Sequence, residues 1–413
     1  QRLSSTASVA INPLTSGKGL SASVRFCIER LRELLKDRNL SIRESNSYGI
    51  FNLRGSLIAL LLSQVKEDFL WIDRDDEEAK RIFQDILFFK RLLREDERPF
   101  FLPSDEGPSQ EGYRAGVLLS INSKNPKIKG LITSVDLIER RFWQPELLNR
   151  CSLLIKTGLE IERLGLVDRL ITLGYRKVAF VTEPGEFSLR NFIMEVFPST
   201  ANSPLRIEFF GDEIESIRFF DVETQRSAEG VSEFMILPAR APEAREAITF
   251  SDVLDLSSLR GRLFLRDDRK LIEKIKTGIT EDFTVLGEEP FITEDLRVIR
   301  DGGSLSLSGR GLLYNERRGI DELPENIREL IKDHSVLITV RTPAQAKRLK
   351  DLFFDHGLVV PVVPVEELMN YEGPAAITIE TLSSGFALNG FILLTEKELF
   401  GPGPSIRPTP HYR

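Results

Sequence analysis

Cysteine and histidine are scarce in this 413-residue sequence, with two cysteines, Cys27 and Cys151, and three histidines, His334, His356 and His411. The cysteines lie far apart and form no Cys-x-x-Cys pair, which excludes a disulfide framework and a zinc ribbon and fits a reducing, cytoplasmic setting. The histidines lack the spacing of a helical metal pair, so neither a His-based metal site nor a Ser-His-Asp triad is expected. Long apolar runs are missing as well. The longest aliphatic stretch, Leu57 to Leu62, falls far short of the ~20 residues that span a bilayer, and no membrane role is expected. The Ser/Thr-rich start lacks the charged, apolar, then small-residue order of a signal peptide. Its first residue is Gln, not Met, so the sequence reads as a piece of a longer chain. Net positive charge is absent too: 56 Lys+Arg against 63 Asp+Glu leave a formal charge of -7. That balance argues against a protein whose main task is to coat a phosphate backbone, while leaving room for local basic patches.

What is present is an ordinary soluble composition, 41% hydrophobic and 29% charged, and length for two to three domains at roughly 150 residues each. Residues 1–21 read as a polar tail. Val24, Cys27, Ile28, Leu31 and Leu35 then share one face of a helix. From Tyr48 strands alternate with helices, through strand candidates at Phe69–Ile72, Pro99–Leu102 and Gly130–Val135, the pattern of a doubly wound α/β sheet. After Trp143 the pattern changes to one helix, Leu159–Leu173, stopped by Gly174, and closely spaced strand candidates: Val178–Thr182, Phe192–Phe197, and a hairpin Leu205–Phe210 and Glu213–Phe220 about the Gly211-Asp212 turn. The expected division is a first α/β domain over 22–150, an inserted α+β domain over 151–242, a return segment over 243–310 with a turn at Gly302-Gly303, a small α/β domain over 311–401 and a Pro/Gly-rich tail over 402–413. In the small domain Thr342 reads as the N-cap, Pro343 as the first helical position and Gly357 as the stop, before a strand Leu358–Val363.

The loop after the first strand is where an α/β sheet holds phosphate. Here it runs through Gly55 and Ser56, and a working phosphate loop would need Lys and then Ser/Thr where Ile58 and Ala59 stand. ATP is therefore not expected to bind, and no cofactor, metal or catalytic residue is assigned. The acidic run Asp73–Glu78 opens a helix, where carboxylates suit the macrodipole.

The segments LGYRKVAFVTEPGEFSLRNFIMEVFP (173–198) and PLRIEFFGDEIESIRFFDVETQRS (204–227) carry a dense and specific word order. They closely resemble the UvrB-like module at the N-terminus of the bacterial transcription-repair coupling factors, the Mfd family. The resemblance extends more weakly over most of the chain: the Gly55-Ser56 loop looks like that family's degenerate phosphate loop, and LSSGFALNGFILLTEKELFG (382–401) resembles the end of the small domain before its polymerase-binding domain. It implies a degenerate helicase-like first domain. It further implies that the inserted domain binds UvrA, the damage-recognition subunit of nucleotide excision repair, partly through arginines of its sheet. Arg190 fits the arginine of the family's EF-x-x-R block and Arg176 the basic residue after Gly-Tyr. A guanidinium fork suits a partner carboxylate, and Phe187 or Phe192 beside it could add apolar area. Phe187 reads equally as core. The sequence departs from the family pattern after Arg190, where Asn191 and Phe192 stand in place of a glycine; Asn tolerates the left-handed backbone that turn requires.

The function so implied is a non-catalytic adaptor, monomeric, that recruits UvrA to RNA polymerase stalled at DNA damage. Contact with polymerase or DNA, and the ATP-driven translocation of full-length family members, are expected of motor and polymerase-binding parts not recognised in this sequence. Two alternatives stand: a structural clamp on those motor parts, and a UvrB-type ATPase/helicase, against which Ile58 and Ala59 argue.

Overall fold

The computed structural model describes residues 23–25, 28–29, 48–51, 53, 55–66, 68–97, 99–121, 130–253, 262–278, 283–287, 297–300, 322–388 and 390–400. The polar tail 1–21, Cys27, Gly302-Gly303, the tail 402–413 and His411 lie outside them. The chain is a mixed α/β protein with several sheets and divides into two compact units, one of Gln1–Trp71, Glu77–Pro99 and Leu259–Arg413, the other of Ile72–Asp76 and Phe100–Ser258. Among the described residues no helix is long and apolar enough to cross a membrane.

In the first unit, strands Arg297–Arg300, Tyr48–Phe51, Thr284–Leu286 and Leu263–Arg266 lie side by side and parallel. Parallel strands need helical crossovers and bury both faces, and Phe264, Leu265, Val285 and Leu286 are accordingly all buried. A second sheet places Ala375–Ile379, Ser335–Val340 and Phe391–Leu394 in parallel, with Phe386–Leu388 antiparallel at the edge. Its helix Pro343–Asp355 starts at a full capping box: Gln345 N–H donates to Thr342 Oγ1 (3.2 Å) and Thr342 N–H to Gln345 Oε1 (3.0 Å). The expected strand Leu358–Val363 is not one. Pro361 has no N–H to give to a ladder, and the segment makes a single bridge, Val362 to Ile377.

The two sheets of this unit meet through the segment Ser383–Gly385. Asp85, 2% exposed on helix Asp76–Leu92, accepts the N–H of Ser383 (2.9 Å) and its hydroxyl. Ser384 donates to Glu398 (3.1 Å). Gly55, with φ +57°, packs so tightly on this segment that a Cβ there would stand 2.1 Å from the Gly385 carbonyl oxygen.

The second unit contains a parallel pair, Phe100–Leu102 and Leu131–Ser134, and a six-stranded sheet under one helix. Its elements are β1 (Leu153–Lys156), α1 (Arg163–Thr172), β2 (Arg176–Lys177), β3 (Glu186–Arg190), β4 (Ile193–Val196), β5 (Leu205–Phe210), β6 (Glu213–Phe220), β7 (Ser227–Gly230) and β8 (Glu233–Ile236). The order β7-β6-β5-β4-β3-β2 is antiparallel except for the short β2–β3 pair, and β1 pairs separately with β8. Helix α1 ends as its glycine predicts: Tyr175 N–H reaches Leu170 O and Gly174 N–H reaches Ile171 O, with Gly174 at φ +89°. Between β5 and β6 the register passes from Glu208↔Ser216 to Phe209↔Ile214, so Glu215 is an extra residue. That bulge lets Ile214 and Ile217, three apart, both enter the core.

Burial, more than any other cause, pushes the Asp85 carboxyl up from 3.8 to about 7, against the hydrogen bonds from Ser383 and the charges of Arg266 and Arg81. A group whose folded value is raised contributes stability at low pH that is lost as pH rises towards that value. Urea unfolding should therefore show wild-type stability declining between pH 4 and 7, and Asp85→Asn should flatten that decline.

Candidate functional site

The residues expected to face a partner lie on and beside the β3–β4 hairpin, and the sheet's alternation sorts them. Phe187 and Leu189 point towards α1, while Ser188 and Arg190 point the other way. Phe187 is fully buried among Met194, Val196 and the α1 residues Leu166 and Leu170. Its side chain is core and leaves no area for a partner. Arg190 is exposed; it donates to the Ala179 carbonyl and lays its guanidinium 4.3 Å from the ring centroid of Phe180, which is 68% exposed. Asn191 opens the two-residue turn at φ +52°, the left-handed conformation that its position requires, and Phe192 follows, 54% exposed.

The loop 178–185, where a strand Val178–Thr182 was expected, is folded around a carboxylate instead. Glu186 Oε2 accepts the N–H groups of Thr182 (2.9 Å) and Glu183 (3.0 Å) and the Thr182 hydroxyl (3.2 Å), while Oε1 accepts Arg176 Nη2 at 2.6 Å. Those amides serve a side chain and not a neighbouring strand, and the last ladder bond beside β2 is Val178 N–H to Phe187 O (2.8 Å). Burial alone would raise the Glu186 carboxyl, but the bonds from Thr182, Glu183 and Arg176 outweigh it and hold the group below its ordinary 4.5. Arg176 thereby has its inner face neutralised and the rest of its guanidinium in solvent.

Behind this surface the scaffold is saturated. Glu195 takes two bonds from Arg206 (3.0 and 2.7 Å), whose guanidinium covers the buried ring of Phe220. The Tyr175 hydroxyl accepts Ser199 N–H (3.0 Å) and donates to Leu237 O (2.9 Å). A charged cleft near Glu111, Arg114 and Arg240 offers less than its composition suggests: Arg114 binds Glu111 and the carbonyls of Pro103 and Asp105, and Arg240 binds Glu246 and the carbonyls of Thr172 and Ala241.

The phosphate-loop positions lie in the other unit. Gly55 is closed over by Gly385, Ser56 is fully buried with no partner for its hydroxyl, and Ile58 and Ala59 are core residues of helix Leu57–Ser63.

Three contributors to the hairpin surface escape sequence reading: Phe180, Glu186 and Arg163, the last from the start of α1. The Pro184-Gly185 turn next to Glu186 is the one available signal. Glu186→Gln should speed amide exchange at Thr182 and Glu183 and lower stability by about 1–3 kcal/mol. In the wild type the same contribution is present above the ordinary carboxylate range and lost as pH falls below it, which a urea series across pH 3–7 would register.

Residues 153–241 match the family model of the UvrB interaction domain. Similar curated proteins include the transcription-repair-coupling factors of Myxococcus xanthus, 30% identical over 45% of this chain and 16% of that protein, Bacillus subtilis, 28% identical over 53% and 18%, and Escherichia coli, 38% identical over 26% and 10%. The matched stretch is thus less than a fifth of each relative's length. The sheet, the helix and the arginine-bearing hairpin described above are the part that matches the UvrB interaction domain, set in a chain similar to the N-terminal UvrB-like module of the transcription-repair-coupling factors.

Proposed function

We propose that this chain is a non-catalytic adaptor of transcription-coupled repair, in which the domain 153–241 recruits UvrA to RNA polymerase stalled at DNA damage. The observation that carries this reading is Arg190: within the matched domain it stands exposed, stacked on an exposed aromatic ring, with Arg176 and Lys177 on the neighbouring strand β2. Exposed rings and planar guanidinium groups are the side chains that dominate protein interfaces, because both add large contact area with little conformational freedom to lose. The parallel strands of the first unit are read as a degenerate helicase-like, doubly wound domain. Ile58 and Ala59 in place of the Lys and Ser/Thr of a phosphate loop, and the packing of Gly385 onto Gly55, support a structural role for it. ATP-driven movement along DNA is not ascribed to these residues.

Titration calorimetry of this chain with UvrA at moderate salt should give saturable binding, weakened about tenfold or more by Arg190→Ala. Absence of binding by the intact chain would sink the adaptor reading.

A further inference from the structure

Four arginines of the second unit lie over aromatic rings among the described residues, and they fall into two kinds. Arg206 and Arg240 cover Phe220 and Trp143, which are buried, and their donors are spent on Glu195 and Glu246 and on backbone carbonyls. These are internal struts. Arg190 and Arg163 cover Phe180 and Phe192, which are exposed, and each spends one terminal nitrogen on a loop carbonyl, Ala179 and Asn191 respectively. Arg163 is also ion-paired through Nε to the exposed Asp212 at 3.7 Å, and the other N–H groups of the two arginines have no hydrogen-bond acceptor among the described residues.

The Arg163 pair is held with unusual definition for a hairpin tip. Asn191 O accepts Arg163 Nη1 at 2.9 Å, Phe192 O accepts Phe209 N–H at 2.9 Å, and the Arg163 guanidinium stands 4.8 Å from the Phe192 ring centroid. An aromatic ring that is half in water, with a guanidinium over it and its own backbone bonded into the sheet, loses little entropy when a partner covers it. A guanidinium held by Asn191 O at Nη1 and by Asp212 at Nε presents its remaining Nη2 group in a set direction, where a partner carboxylate can accept from it.

We propose that the Asn191–Phe192 tip with Arg163 is a second docking element for UvrA, receiving a partner carboxylate at Nη2 of Arg163 while Phe192 enters an apolar recess of the partner. This rests on the UvrA reading of the same domain and extends it from Arg190 and Arg176 to a residue of α1. Charge complementarity sets the kind of partner surface: Arg190 adjoins Asn191 and Arg163 is bonded to it, in a chain of net charge -7, so an acidic, apolar-edged protein segment fits and a phosphate backbone is opposed by the chain as a whole.

The test is titration of UvrA against the full chain and its Arg163→Ala, Arg163→Lys, Phe192→Ala and Phe192→Ser variants, with urea midpoints to show that each is folded. Both Phe192 variants sit at an exposed turn and leave α1 intact. The expected result is a loss of about tenfold in affinity for each Ala variant, less than the sum in the Arg163→Ala/Phe192→Ala double variant, and incomplete rescue by Arg163→Lys, which keeps charge but not the fork. If the intact chain binds and Arg190→Ala weakens it while the Arg163 and Phe192 variants bind as wild type, the second element does not exist. If the intact chain does not bind UvrA, the adaptor reading falls and this inference with it. A single-stranded oligonucleotide that binds the wild type and is lost with Phe192→Ala, UvrA affinity being unchanged, would overturn the proposal in favour of a nucleic-acid surface.

Discussion

The carboxylate of Glu186 holds together most of what the inserted domain displays. It sits at the first position of β3, takes up the amides of Thr182 and Glu183, and closes the loop 178–185 against the sheet. One consequence is that the Ala179 carbonyl and the Phe180 ring are delivered to Arg190 at the far end of the same strand. Another is that Arg176 on the adjacent strand is tethered without being buried. Without this buried acceptor the loop would keep several unsatisfied amides, and the arginine pair would lose both its backbone anchor and its ring.

The same economy of contacts separates scaffold from surface. An arginine on a ring is worth about 0.5–1 kcal/mol at an exposed site, too little to justify leaving phenylalanines in water on stability grounds. Phe220 and Trp143 are buried beneath their arginines and contribute by burial; Phe180 and Phe192 remain largely in solvent. Neither exposed ring belongs to the hydrophobic core that the sheet forms with α1.

In the first unit the turn at Gly55 is a packing site. Gly55 keeps its left-handed backbone, and the space that its missing side chain leaves is taken by Gly385, while Ser383 and Ser384 are held by Asp85 and Glu398. The Ser-Ser-Gly order of that segment is what such close approach needs: two small donors and a residue without a Cβ.

Local signals in the sequence were reliable wherever the cause is itself local. The Gly174 stop, the Gly211-Asp212 hairpin, the Thr342 cap and the left-handed Asn191 each follow from the backbone preferences of a few consecutive residues, and each is found in place. The expected strands Val178–Thr182 and Leu358–Val363 are absent for different reasons: in the first the Glu186 carboxylate, four residues on, takes the Thr182 amide and folds the loop back, and in the second Pro361 has no N–H to give to a ladder. The family resemblance pointed to Arg176 and Arg190, with Phe187 or Phe192 beside them, but not to whether Phe187 faced in or out, since that depends on which face of the hairpin α1 covers. The partnerships of Arg163 with Phe192 and of Arg190 with Phe180 were decided only by tertiary structure. They join residues from a helix, a loop and a strand that have no mutual preference along the chain, and become neighbours only after the sheet has closed its register over a common core.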